Sequence, residues 1–282
     1  MFISTEFVDR LIHEDLPYID LTSSLLGISK QRARIEYRSR ESGVIAGIDV
    51  ILKMFQQCQI TPIEYQQNGE FITPNGLLIS GEGSAEAIHT VWKIGQNVLD
   101  YSCGIASYTA KMAHICRQSP KPIALLTTRK NIPGTKLLAI NAIMAGGAVP
   151  HRLGLSETIL IFKQHRAFFP NDQSLANKIQ EIKHLTCEKH IVMEADTVEE
   201  AERFIAMGAD IIQFDKLTPK ALKEASYSLK SKHPTLRILA AGGINLQNIT
   251  EYIEADIEGI VTTAPYYAKP LDIKVDITPL SF

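Results

Sequence analysis

The sequence predicts an α/β protein, with an N-terminal α+β sandwich domain over residues 1–108 followed by an open or incomplete α/β barrel over residues 109–282. Two observations carry that prediction. Beyond about residue 120, short apolar runs alternate with amphipathic stretches, and near-continuous apolar strands separated by helices indicate a parallel sheet. Before that point strands and helices do not alternate regularly, as in a small sheet with helices on one face.

In chain order, a helix is expected near residues 5–15 and a strand over "RARIEYRSR" (32–40). A turn then leads into an amphipathic helix within "GVIAGIDVILKMFQQC" (43–58). Strands follow near 60–66 and 77–80, and a long helix runs from about Ser84 toward 117 with an interruption. The apolar runs of the second part are "PIALLTT" (122–128), "TILIF" (158–162), "HIVMEAD" (190–196), "ADIIQFD" (209–215), "RILAAGG" (237–243) and "EGIVTT" (258–263). Helix signals sit between them. One helix is expected over about 134–146, and Thr197 with Glu200 reads as a capping box for a helix that Gly208 ends. Thr218-Pro219 supplies a cap and a first-turn proline, and Asn245 is expected to cap "LQNITEYIEA".

The chain has 282 residues, 45% hydrophobic and 21% charged, with a net charge of −2. That is ordinary globular composition without a global field to recruit nucleic acid or an anionic membrane, so any anion site must be local. Cys58, Cys103, Cys116 and Cys187 are widely spaced with no CxxC, which argues against a zinc site or disulfide framework and suits a reducing cytoplasm. No apolar stretch reaches the length of a membrane span, and the acidic, helically spaced N-terminal segment does not read as a signal peptide.

In a parallel barrel the chemistry belongs to the C-terminal ends of the strands. Those ends carry Arg129 and Lys130, then His151 and Arg152, then Glu194 and Asp196, then Asp215 and Lys216, and finally Gly242-Gly243 before a helix. Gly-Gly ahead of a helix lets backbone N–H groups close on a phosphate. Arginine forks grip carboxylates or phosphates, lysine supplies a compact charge, and a carboxylate pair suits a hydrated Mg²⁺ riding on a polyphosphate. Each feature also has a plainer reading. Arg129 and Lys130 are then solvated loop charges, Glu194 an ion-pair partner of Arg129, Asp215 a helix cap, Gly242-Gly243 a tight turn, and His151 a satisfied loop histidine. The recurrence of charged and glycine positions on one rim favours a site that holds a phosphorylated, metal-bridged substrate beside an acidic one.

The stretch "TTRKNIPGTKLLAINAIMAGGAVPHRLGL" resembles the TRKTxPGxR…GGG…HRxGL signature of quinolinate phosphoribosyltransferases, the nicotinate-nucleotide pyrophosphorylases. The resemblance runs the length of the chain: "EDLPYIDLTS", "GVIAG", "NVLDYSCGIASYT", "MEAD", "QFDK" and "AAGGI" are each similar to family motifs. It implies a type II phosphoribosyltransferase, with a sandwich domain and a TIM-like open barrel. It further implies Mg²⁺ with phosphoribosyl pyrophosphate as co-substrate, and a homodimer or hexamer of dimers in which the neighbouring subunit completes each site. Under it Arg129, His151 and Arg152 bind the acid, Lys130, Glu194 and Asp215 serve the diphosphate and metal, and Gly242 and Gly243 cradle the 5-phosphate.

The chain also departs from the family. Phe162 falls where a substrate-binding lysine is expected, with Lys163 one position on, so that only a one-residue bulge would restore the cation. Lys93 replaces the intersubunit arginine, keeping the charge and losing the fork. Thr262 replaces a phosphate-loop glycine, and Asn131 a threonine. These changes fall more on the acid side than on the phosphoribosyl side. The combination resembles the ModD-type branch, which is associated with molybdate transport. Three readings follow: a phosphoribosyltransferase whose acceptor is not quinolinate, a true quinolinate enzyme with a shifted Lys163, and a catalytically retired ligand-binding protein.

Overall fold

Alternating burial builds the first sheet. Along Arg32–Ser39 every second side chain is buried, which places Ala33, Ile35, Tyr37 and Ser39 on one face. The computed structural model describes residues 2–280, and in it this strand is central in an antiparallel four-stranded sheet with Leu77–Ser84, Thr61–Tyr65 and Ile273–Pro279. Helices Thr5–Asp15 and Ile48–Gln57 cover the buried face, together with the early turns of Ala85–Arg117. Tyr37 is fully buried and its hydroxyl donates to the Val91 carbonyl at 2.9 Å. Gly95 makes that reach available, since a Cβ there would lie 2.5 Å from the Tyr37 oxygen.

The second sheet is parallel and seven-stranded, in the order Val149–Pro150, Ala124–Thr127, Gly259–Thr262, Arg237–Ala241, Ile211–Asp215, Ile191–Ala195 and Ile159–Ile161. Residues of one face, such as Ile212, Phe214, Ile238 and Ile260, are sealed from solvent. The opposite face carries a small apolar cluster of Leu239, Ala241 and Val261 with Leu126 and Ile211. Arg152, just beyond one edge strand, lies over the ring of Phe162, just beyond the other, at 5.7 Å. The sheet therefore curls until its two edges meet at one end, which makes the cluster the floor of a half-barrel.

The fold class predicted from the sequence is the one observed, and every apolar run named above is a strand. Other details differ. Ala85–Arg117 is a single helix of 33 residues with no interruption. Asn248, not Asn245, is the residue before helix Ile249–Tyr252, while Asn245 builds the preceding turn by accepting from the Gln247 N–H. Thr197 caps its helix as expected, but Glu200 reaches back to the Asp196 N–H instead of completing the box. The four cysteines are free. Among the described residues no helix is long and apolar enough to cross a membrane.

The two compact units are discontinuous in sequence. One contains the described residues of Met1–Ala110, Ile132–Gly147 and Tyr266–Phe282; the other comprises Lys111–Asn131 and Ala148–Pro265. Strand Ile273–Pro279 joins the first unit because Arg32–Ser39 offers it a full antiparallel ladder. Helix Lys136–Ala145 joins it because its apolar residues surround the helix, and Leu138 enters that core.

Gln96 and Asp100, one turn apart on the long helix, clasp the start of strand Ile273–Pro279. Gln96 Nε2 donates to the Ile273 carbonyl at 2.6 Å, and Asp100 Oδ1 accepts from the Ile273 N–H at 3.0 Å. Burial, reinforced by Asp272, pushes the Asp100 carboxyl up from its usual 3.8 to about 6 against the opposing effect of that N–H. A folded-state value above the unfolded one gives stability that is complete below about pH 4 and lost as pH rises through about 6. Asp100→Asn keeps the acceptor and removes the charge. Its unfolding free energy should exceed wild type by about 1 kcal/mol at pH 8, a figure reduced for solvent screening of this half-buried group, and match it near pH 4. Urea melts at the two pH values check this.

Candidate active site

Parallel register decides which side chains meet. Every strand of the seven-stranded sheet ends at the same edge, so Arg129, Lys130, His151, Arg152, Phe162, Glu194, Asp215, Gly242 and Gly243 all lie on or just below one rim. Lys93 belongs to the other unit, on helix Ala85–Arg117, where its Nζ meets Gln96 Oε1 at 2.9 Å and lies 5.0 Å from the centre of the Trp92 ring.

One arc of the rim is cationic. Arg129 and Lys130 are exposed, and neither side chain has a hydrogen-bond or ion-pair partner among the described residues. Burial, with Arg129 as a like-charged neighbour, lowers the pKa of Arg152. His151 is half-buried, and burial followed by the charge of Arg152 holds its pKa below the usual value, which favours a neutral imidazole at neutral pH. Arg129 and Arg152 repel each other and Glu157 offsets part of the charge on Arg152, so the arc keeps a positive excess that suits an anion.

The other arc is acidic. Glu194 is half-buried, and burial first, then the nearby Asp215, raises its carboxyl pKa. Its Oε2 accepts from Gln213 Nε2 at 3.2 Å. Asp215 pairs with Lys216 at 3.1 Å. The plainer readings of both acids fail: Glu194 forms no ion pair with Arg129 among the described residues, and Thr218 caps the helix that follows Asp215. No group of three or more His, Cys, Asp or Glu side chains able to hold a metal occurs among the described residues. Mg²⁺ commonly takes one or two carboxylates and fills its shell with water and phosphate oxygens. The Glu194–Asp215 pair fits a cation that arrives on a polyphosphate, and does not fit a resident all-protein site.

Backbone shape builds the glycine loop beside the acids. Lys216 has φ of 61°, and its N–H donates to the Ala241 carbonyl at 2.8 Å, which folds the end of one strand against the next. Gly242 has φ of 91°, and a Cβ there would lie 2.5 Å from Lys216 Cγ and 2.6 Å from its backbone nitrogen. Gly243 has φ of 75° with open space beside it. Thr262, in place of a glycine, does not obstruct this loop: it is buried, its hydroxyl donates to the Ile244 carbonyl at 2.6 Å and accepts from the Ala264 N–H at 3.0 Å.

On the acid side no bulge shifts the register. Ile159, Leu160 and Ile161 pair in sequence with Ile191, Val192 and Met193. Phe162 therefore continues the row at the level of Glu194, stacked on His165 with ring centroids 5.8 Å apart and beneath Arg152. Lys163 begins the short helix Lys163–Arg166 and is exposed. Sequence reasoning passed over Gln213. Its register partners are Glu194 and Leu239, so the alternation of the strand places it on the half-barrel floor, two residues below Asp215.

The sequence profile described as "Quinolinate phosphoribosyl transferase, C-terminal domain" matches residues 105–276, and its N-terminal counterpart matches residues 20–103. The chain belongs to this family. Within the quinolinate phosphoribosyl transferase family it is 37% identical over 277 residues, 98% of each chain, to a Pasteurella multocida protein named "Putative pyrophosphorylase ModD". An Escherichia coli O6:H1 protein of the same name is 38% identical over 279 residues, 99% of this chain and 98% of that one. The fold is that of the NadC crystal structure from Streptococcus pyogenes, with a TM-score of 0.88 and 23% identity over the whole of both chains. The nicotinate-nucleotide pyrophosphorylase from Francisella tularensis gives a TM-score of 0.85 at 22% identity over 98% of each chain.

Two glycine substitutions separate crowding from backbone strain. Gly242→Ala should lose about 2–4 kcal/mol, lowering Tm by roughly 5–10 °C, since it adds a clash to a left-handed φ. Gly243→Ala carries the strain alone and should lose about 1 kcal/mol. Calorimetric melts of the two variants check the difference.

Proposed function

We propose that this chain transfers the 5-phosphoribosyl group of Mg²⁺-bound phosphoribosyl pyrophosphate to a small acidic or heterocyclic acceptor other than quinolinate, releasing diphosphate. Family membership supports a phosphoribosyltransferase. The observation that carries the finer reading is a cationic arc with excess positive charge and a mutually repelling carboxylate pair on a single rim, an arrangement that a metal–diphosphate and an organic acid would together neutralise.

The reaction is a displacement at the anomeric carbon. The bond from that carbon to the diphosphate oxygen breaks, and its electron pair leaves with diphosphate. The lone pair of an acceptor nitrogen forms the new bond. Lys130 holds the departing diphosphate as a compact cation, while Arg129 and Arg152 align the nucleophile through its acid group. Glu194 and Asp215 would hold Mg²⁺, which would neutralise diphosphate charge. The N–H groups after Gly242 and Gly243 receive the 5-phosphate. Protein nucleophile chemistry has no part in this scheme. A homodimer or hexamer of dimers, with Lys93 reaching a neighbour's site, accompanies the proposal.

Phe162 argues against quinolinate. A second pyridine carboxylate lying against this ring and beside Glu194 would have no cation of its own, since Arg152 above the ring serves the first acid group, and desolvating a poorly paired carboxylate costs several kcal/mol. Phe162 also motivates the reading of a retired binding protein. Thr262, the other departure behind that reading, is absorbed by the loop backbone.

Lys130→Ala and Glu194→Gln should each lower diphosphate release from Mg²⁺–phosphoribosyl pyrophosphate at least about 100-fold with Tm little changed. Wild-type rates in both variants would refute the assignment, whereas tight binding of phosphoribosyl pyrophosphate with no turnover on any acid would favour the retired protein. Phe162→Lys should raise activity on quinolinate about tenfold or more by restoring a cation. Steady-state assays with quinolinate and nicotinate measure that shift.

A further inference from the structure

Gln213 is 4% exposed, and its amide is half used. Nε2 donates to Glu194, while Oε1 has no hydrogen-bond partner among the described residues. A carboxylate only accepts, so Glu194 holds the amide with its NH₂ toward the acid and its carbonyl turned away. A buried carbonyl without a donor is costly, and folded proteins keep few of them. Gln213 shares the floor with Leu239, Ala241, Val261, Leu126 and Ile211, all apolar. None of these supplies a donor.

We propose that the Gln213 carbonyl reads a hydrogen-bond donor on the acceptor substrate, and that the acceptor is a flat heterocyclic acid bearing an amino, hydroxyl or ring N–H group on the edge away from its acid group. The inference rests on the transferase reading and narrows its substrate class. An apolar floor with one unused amide carbonyl suits an aromatic ring with one polar edge. Ribose, with hydroxyls on successive carbons, is better served at the rim, where the carboxylates of Glu194 and Asp215 offer several acceptor oxygens. Phe162, in the row of Glu194 and Gln213, adds an aromatic wall to the same layer.

The test uses the full chain with Mg²⁺–phosphoribosyl pyrophosphate and nicotinates carrying either an amino or a methyl group at ring positions 2, 5 or 6, groups matched in size and opposite in donor capacity. Binding of phosphoribosyl pyrophosphate is measured first by calorimetry. Its failure to bind overturns the transferase reading and this inference together. With binding established, one amino compound should exceed its methyl twin at least about tenfold in kcat/KM, or in affinity where turnover is absent. Gln213→Leu should bring that ratio near one by weakening the amino compound alone. If the leucine variant does not fold, Gln213→Met keeps the side-chain length without the carbonyl. No preference at any position, a preference that survives the substitution, or an equal loss on both twins overturns the inference. The last of these would assign the carbonyl to a ribose hydroxyl, to water, or to positioning Glu194.

Discussion

In-register parallel pairing is the constraint on which the rest depends. Seven strands running the same way discharge their loops at one edge, so residues distant in sequence meet without any long-range contact being specified individually. The contact of Arg152 with Phe162 brings the residues beyond the sheet's two edge strands together on that rim. Cations from two adjacent strands gather on one arc, and acids from two others on the next. Lys216 offsets part of the charge on Asp215 and Glu157 part of that on Arg152, and each arc keeps an excess that a ligand would relieve.

Backbone conformation does the remaining shaping. Lys216 accepts a left-handed φ, which commonly costs of order 1 kcal/mol, and Gly242 omits the side chain that would collide with it. The two turns thereby lie against each other on the rim beside Asp215. Thr262 illustrates the opposite case: a substitution that looks disabling in sequence is absorbed because its hydroxyl turns inward and ties two loop backbone groups. Phe162 has no such outlet, since the register fixes it in the row of Glu194.

Much of this was legible in the residues. Apolar runs bounded by caps and glycines named six of the seven strands of the parallel sheet, the two-residue strand Val149–Pro150 being too short to show, and the strand-end rule collected the rim residues. Register was not legible. Nothing in "TILIFK" distinguishes a straight strand from a bulged one, and the pairing with Ile191–Ala195 had to decide between Phe162 and Lys163. Gln213 escaped notice because a glutamine within an apolar run looks incidental until its partner strands are known. Strand Ile273–Pro279 escaped because its ladder partner lies near the other end of the chain, beyond the reach of local periodicity.

That last pairing has a consequence for synthesis. During translation strand Arg32–Ser39 emerges early, with one edge ready to pair with Leu77–Ser84 and the other left open. The open edge stays unsatisfied while the half-barrel is being made, and only the arrival of Ile273–Pro279 closes it. The first unit is thus the first begun and the last finished. A ribosome that stalls within the half-barrel would release a chain with an exposed sheet edge, and such a chain invites pairing with its neighbours.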